Sequence, residues 1–238
     1  MELTEVESTN MYAMERLQAN LAAHGSAFFA HHQTAGKGQR GKTWMDEAGN
    51  NIALSVIMDC SFLLLSKQFP LSMLSALACY DLFSKYGGDE TFVKWPNDLY
   101  WRDRKAGGIL IENLVRGNNW VGSVIGIGMN LNQTDFPASL KNPVSLKQVT
   151  GKDFDPVVMA KELCVCLERR YTQLKDGDLE AMLVEYNSHL FKRGEIVRLK
   201  TGAIAFECVI KGVSAEGELE VTGGLKDRYG FGEVEWVI

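Results

Sequence analysis

The 238-residue sequence has no apolar run long enough to cross a bilayer. Phe62–Leu65 and the interrupted stretch from Leu71 to Phe83 fall short of the ~20 residues that a span needs. The opening Met-Glu-Leu-Thr-Glu lacks the basic and apolar segments of a signal peptide, so nothing points to export. Paired cysteines are missing too. Cys60, Cys79, Cys164, Cys166 and Cys208 show no CxxC spacing. Cys164 and Cys166 fall two apart in a helical pattern and so point in different directions rather than converging on a metal. All five are expected to be buried, reduced thiols, as in a cytoplasmic protein. The histidines (His24, His31, His32, His189) lack metal spacing and receive no role. Positive charge is not in excess: 25 Lys and Arg against 30 Asp and Glu give a net charge of −5. Bulk electrostatics therefore offers nothing to a nucleic-acid backbone, and any anion must be met by a local cluster. Internal repeats and low-complexity segments are also lacking. What remains, 46% apolar and 23% charged residues, is ordinary globular composition. The length allows one good core and a small second domain.

Ser8-Thr9-Asn10 supplies helix-capping chemistry, and Met11, Met14, Leu17 and Leu21 follow at helical spacing until Gly25. Residues 26–32 read as a strand. Residues 34–51 hold four glycines and no sustained period, so they form a long loop, of a length that is usually functional. A strand over 52–58 and an apolar helix over 70–86, opened by Pro70, come next. Strands are then expected at 91–95, 99–101, 107–114 and 120–129, and helices at about 156–174 and 179–190. Met11, Met14 and Met73 read as core filler. After Arg193-Gly194, short alternating runs separated by glycines mark a small β-barrel. The expected fold class is α+β: a mixed, largely antiparallel sheet with helices packed on one face, then the barrel. The expected division is residues 1–192 and 193–238.

Residues 36–43, Gly-Lys-Gly-Gln-Arg-Gly-Lys-Thr, match the phosphate-binding P-loop pattern GxxxxGK[ST] letter for letter. That motif works because its glycine turn runs straight into a helix whose free N–H groups hold the phosphates. Here Thr43 is followed by Trp-Met-Asp-Glu-Ala-Gly-Asn-Asn, a poor helix, and then by a strand-like run. A P-loop phosphotransferase is therefore disfavoured, although glycine amides and cations still suit the loop to phosphate.

Four clusters stand out together: Glu7-Ser8-Thr9-Asn10; the basic loop Gln33–Trp44; Lys94-Trp95-Pro96-Asn97-Asp98 with Lys105-Ala106-Gly107-Gly108-Ile109-Leu110-Ile111-Glu112; and Gly126-Ile127-Gly128-Met129-Asn130-Leu131-Asn132. In this order and at these spacings the chain resembles the biotin–protein ligase family, by motif from Glu7 to Asn132 and weakly beyond. The resemblance implies a biotin and ATP site on a mixed sheet followed by an SH3-like barrel. The implied reaction has two halves: biotin and ATP give biotinyl-5′-AMP and pyrophosphate, and a carrier lysine then displaces AMP. Some relatives carry an extra N-terminal DNA-binding domain. This chain opens almost at the Glu-Ser-Thr-Asn segment, and no DNA binding is expected of it.

Such chemistry brings two anions together, the biotin carboxylate and the α-phosphate, against a repulsion on the order of 4 kcal/mol at ~4 Å and an effective dielectric of ~20. Cations and loop amides between them lower that barrier most where charge develops. The resemblance places Lys105 beside the carboxylate as the main catalytic residue, with Lys37, Gly38 and Gln39 at the same junction. Arg40, Lys42 and Lys94 face the phosphates, Trp44 packs near the adenylate, and Asn97 and Asn130 contact it. Asp98 is the candidate Mg²⁺ ligand. The ureido head of biotin offers two N–H donors and one carbonyl, which Ser8, Thr9, Asn10 and Gln33 would match. Many family members carry arginine, which helps retain the adenylate, where this chain has Gln39. The implied partners are biotin, ATP and the biotin carboxyl carrier domain of acetyl-CoA carboxylase or a related carboxylase, with no nucleic acid and no membrane. Three other readings remain open: a lipoate ligase of the same fold, whose arginine pair and triple glycine are absent, the P-loop enzyme, and a non-catalytic binding module. Ser8–Asn10 also suits a plain helix cap, and the basic loop a solvated turn.

Overall fold

The computed structural model describes residues 1–238 apart from Asp46, Asn118 and Ile238. A seven-stranded sheet in the order β1-β2-β3-β7-β6-β5-β4 forms its centre. The strands are β1 (Glu2–Val6), β2 (Ala27–Gln33), β3 (Asn51–Met58), β4 (Thr91–Lys94), β5 (Asp98–Trp101), β6 (Arg104–Arg116) and β7 (Asn119–Asn130). Among the described residues β1 and β2 pair in parallel and the other neighbours in this sheet are antiparallel. The sheet is thus mixed and mostly antiparallel, as the short connections between β4 and β7 require.

Helices cover both faces, which corrects the expectation of one. On β3, Ile52, Leu54, Val56 and Met58 pack into the large core with α2 (Phe69–Gly87) and α4 (Pro156–Lys175). On the opposite face, Ile57 joins Phe28 and Val124 under Ala13 and Leu17 of α1 (Thr9–Gln18). Side chains alternate along a strand, so a strand buried at every residue needs cover on both sides. β3 is buried from end to end. After Asn51, Ile-Ala-Leu-Ser-Val-Ile-Met carries that signal as a mostly apolar run, interrupted by Ser55, in place of alternation. Met73 is buried as expected, whereas Met11 and Met14 are only half-buried and Leu21 is exposed beyond the end of α1.

Two short helices, α3 (Leu146–Thr150) and α5 (Leu179–Ser188), flank α4. All five cysteines are free, but only Cys60, Cys79 and Cys208 are buried. Cys164 and Cys166 are half-buried, because two positions apart on α4 they cannot both face the core.

After α5 the chain forms a five-stranded antiparallel sheet, β11-β10-β9-β8-β12, from β8 (Ile196–Thr201), β9 (Ile204–Val213), β10 (Leu219–Thr222), β11 (Arg228–Tyr229) and β12 (Glu235–Trp236). Its apolar side, with Leu199, Ile210 and Leu219, continues the core of the large sheet. Trp95 Nε1 donates to Gly217 O at 2.9 Å, and Trp236 Nε1 donates to Trp95 O at 3.2 Å. These bonds fasten the small sheet beside the turn between β4 and β5.

Candidate active site

The glycine-rich segment folds back on itself. Lys37 bridges Thr43 in antiparallel fashion, Gly38 N–H donates to Lys42 O at 2.7 Å, and a single 3₁₀ turn covers Gln39–Gly41. No helix opens between Thr43 and the start of β3 at Asn51 among the described residues. The helix end that a P-loop needs is therefore missing, and its literal match is a coincidence of letters. Gln39 Nε2 donates to Ile109 O of β6 at 3.3 Å, and Arg40 reaches Gly232 O of the small sheet at 3.5 Å, the limit for such a bond. The loop is thereby laid across the sheet.

Glycines on β7 make the close approaches possible. A methyl group on Gly128 would overlap the Trp44 ring, and one on Gly126 would overlap Asn10 Oδ1. The Gly-x-Gly spacing places both bare positions on the same face of the strand. One admits the indole and the other admits the start of α1. The Trp44 Nε1 atom is buried without a hydrogen-bond partner among the described residues.

Lys105, near the start of β6, pairs with Asp98 at the start of β5, Nζ to Oδ1 at 2.6 Å. Lys94 ends β4 and is buried. Its ammonium lies 4.5 Å from the Tyr100 ring centre and 5.1 Å from that of Trp236, and donates to Tyr100 Oη at 3.1 Å. Burial pulls its pKa down to about 8. Asp98 opposes the shift, while Lys105 and Lys42 add to it. The same burial raises the Tyr100 phenol.

Asn97 Nδ2 donates to Ile109 O at 3.0 Å, and Asn130 Nδ2 donates to Val144 O at 3.1 Å and Lys105 O at 3.4 Å. Both spend their amide donors on the main chain. Asn130 thereby holds the backbone of Lys105 in place.

At the other end, Ser8 is the N-cap residue of α1 but makes no capping bond with its side chain, so the plain-cap reading fails. Thr9 N–H donates to Gln33 Oε1 at 2.9 Å. Asn10 Nδ2 donates to Glu112 Oε2 at 2.8 Å.

All fifteen candidate residues named from the sequence line one cavity of about 800 Å³. Among the described residues its wall carries Lys37, Arg40, Lys42, Lys94, Lys105 and Lys141 against Asp98 and Glu235, on a chain whose net charge is −5. Such a site concentrates anions locally. Several neighbours escaped the sequence reading. Tyr100, Lys141, Phe231 and Trp236 also line the cavity, and Ser55 stands behind it. A lone aromatic in a short strand run carries no signal of a distant site. Glu112 closed a recognised motif, yet nothing in its spacing gave it a role.

A model of the biotin/lipoate A/B protein ligase family matches residues 3–130. The bifunctional ligase/repressor BirA of Bacillus subtilis is 30% identical over 230 residues, covering 94% of this chain and 70% of that protein. The biotin–[acetyl-CoA-carboxylase] ligase of Paracoccus denitrificans is 29% identical over 228 residues, 93% of each chain. Among solved structures, a biotin protein ligase from Aquifex aeolicus in complex with biotin and ATP superposes with a TM-score of 0.82 at 24% identity, over 100% of this chain and 98% of that one. The chain belongs to the biotin/lipoate A/B protein ligase family.

Proposed function

We propose that the protein is an ATP-dependent, AMP-forming biotin–protein ligase. One observation carries the reading: Lys105 and the Lys37–Lys42 loop meet in one cavity whose far end is the uncharged group Ser8, Thr9, Asn10 and Gln33. An elongated acid with a polar, neutral head and a carboxylate tail fits that polarity.

In the first half-reaction a biotin carboxylate oxygen attacks the α-phosphorus of ATP. The new C–O–P anhydride forms as the bond to the β-phosphate oxygen breaks, and pyrophosphate leaves. Lys105, Lys37 and the Gly38 amide screen the approaching anions and the charge that builds between them, assisted by Gln39. Arg40, Lys42 and Lys94 neutralise the departing phosphates. Trp44, packed on bare backbone, offers a flat surface to the adenylate, beside Asn97 and Asn130. Asp98 is the side chain that would help hold a Mg²⁺ ion, which would supply positive charge to the ATP phosphates. Asp98 is engaged by Lys105, which fits a metal that keeps most of its ligands from substrate and water.

In the second half-reaction the neutral amine of a carrier lysine attacks the acyl carbon. The amide forms, AMP leaves, and the amine gives up a proton. The acceptor is the biotin carboxyl carrier domain of acetyl-CoA carboxylase or a related carboxylase. We read residues 1–192 as the catalytic domain and the small sheet, within residues 193–238, as an SH3-like module. No helix among the described residues is long and apolar enough to cross a membrane. A cytoplasmic carboxylase system is the setting that suits this reading, with no part for nucleic acid.

The test is transfer itself. Labelled biotin, MgATP, the protein and a carrier domain should yield labelled carrier, with one AMP and one pyrophosphate released per amide formed. Lipoate in place of biotin should give none. Labelling with lipoate alone, or no nucleotide turnover with either acid, would defeat the proposal.

A further inference from the structure

Two residues that do not line the cavity fix the polarity of its neutral end. Ser55 lies in β3 and is fully buried, with Oγ 2.6 Å from Asn10 Oδ1 and 2.8 Å from Thr9 Oγ1. An amide oxygen can only accept, so the single Ser55 proton goes to Asn10, while the one proton of the Thr9 hydroxyl is shared between Ser55 Oγ at 2.8 Å and Gln33 Oε1 at 3.1 Å. On the other side of the same amide, Asn10 Nδ2 donates to Glu112 Oε2 at 2.8 Å and reaches Leu110 O at 3.3 Å. A flipped amide would set its oxygen against the carboxylate, so one orientation survives. The amide oxygen rests against the bare backbone of Gly126, a wall of the cavity, with a lone pair to spare. Gln33 has the opposite polarity. Its Oε1 faces Thr9 N–H at 2.9 Å and the Thr9 hydroxyl at 3.1 Å, and its Nε2 has no protein partner among the described residues.

We propose that Ser55 and Glu112 are positioning residues that set substrate choice. They lock Asn10 as an acceptor opposite Gln33 as a donor, a template for the N–H and C=O of a cyclic urea. The inference rests on the biotin-ligase reading and deepens it by naming what separates a ureido acid from a dithiolane acid. A dithiolane head returns neither bond and leaves both polar atoms unpaired, the situation that a hydrogen-bonding pocket rejects most strongly.

The test is the acid-dependent release of pyrophosphate by the full chain, with the KM for biotin and for ATP measured separately. Wild type should respond to biotin and to desthiobiotin, which keeps the urea, and not to lipoate. Ser55→Ala should raise the KM of both ureido acids about tenfold, equivalent to about 1.4 kcal/mol, with kcat and the KM for ATP changed less than twofold. A merely structural role for Ser55 would move both KM values and the melting temperature together. Asn10→Asp, which turns an oxygen toward Glu112, should weaken biotin more severely. Adding Glu112→Gln supplies a donor to that oxygen and should recover at least half of the loss on a logarithmic scale. This pair keeps the question answerable should Ser55→Ala fail to fold. No response to biotin in wild type would overturn the ligase reading and this inference together. A responding wild type with an unchanged biotin KM in Ser55→Ala, or no rescue by Glu112→Gln, would overturn the inference alone.

Discussion

Lys94 shows how one side chain can be tuned by what surrounds it. Water is excluded by Tyr100 and Trp236, and the nearby Lys105 and Lys42 disfavour a third positive charge. Asp98 only partly compensates, so the ammonium loses its proton at about pH 8, well below an ordinary lysine. A phosphate favours the protonated form, so binding ATP above that pH requires proton uptake. Affinity for ATP should therefore fall as pH rises from 8 to 9.5 and hold steady below 7.5. Lys94→Met should bind more weakly at pH 7 and lose that dependence, which titration calorimetry across the range would show. Gln39 is the second informative residue. Its amide bonds to Ile109 O where an arginine would bring charge. Gln39→Arg should slow escape of biotinyl-adenylate several-fold, read as release of preformed adenylate into a trap. Equal rates would leave Arg40 and Lys42 as its keepers.

Among the elements, β7 carries the most specific constraint. Its two bare positions receive Asn10 and Trp44, and a methyl group would evict each in turn. Gly126→Ala should raise the KM for biotin at least tenfold with ATP little affected, and Gly128→Ala should do the reverse. Parallel changes in both constants would mean a general distortion. The elements that were legible in the sequence are those whose burial imposes a pattern over many residues. α2 and α4 announced themselves by apolar spacing and by Pro70 and Pro156, and β3, β6 and β7 by β-branched runs. β1 was not legible, because Glu-Leu-Thr-Glu-Val is an edge strand with two carboxylates and little to bury. Five-residue α3 and two-residue β11 are too short for any period to show. That these residues share one cavity was legible because the candidate motifs are contiguous: Ser8–Asn10, Lys37–Lys42, Lys94–Asp98 and Lys105. Ser55 and Trp236 were not, since each acts through a tertiary contact that leaves no trace in its own neighbours. The second helical face is signalled only by the missing alternation of β3, which over so short a run does not say which helix supplies the cover.

At the scale of the whole molecule, the small sheet is part of the cavity wall. Phe231, Val234, Glu235 and Trp236 complete it, and Trp236 shields Lys94 while its indole N–H holds Trp95 O. Trp236→Ala should admit water to Lys94 and raise its pKa toward the ordinary lysine value. The alkaline loss of ATP affinity should then move upward by about a unit, while the KM for biotin stays near its original value. No shift in that pH profile would mean that Tyr100 alone keeps the amine dry.

In the proposed reaction, cations from separate stretches of the chain meet to let a carboxylate attack an α-phosphate. Single-turnover release of pyrophosphate, with enzyme in excess over ATP, tests it directly in wild type and in Lys105→Ala. The expected result is a burst that requires biotin and is slowed about 10²–10³-fold in Lys105→Ala, the scale of losing one donor at a developing oxyanion. A burst that proceeds without biotin, or a slowing of less than threefold, would contradict it.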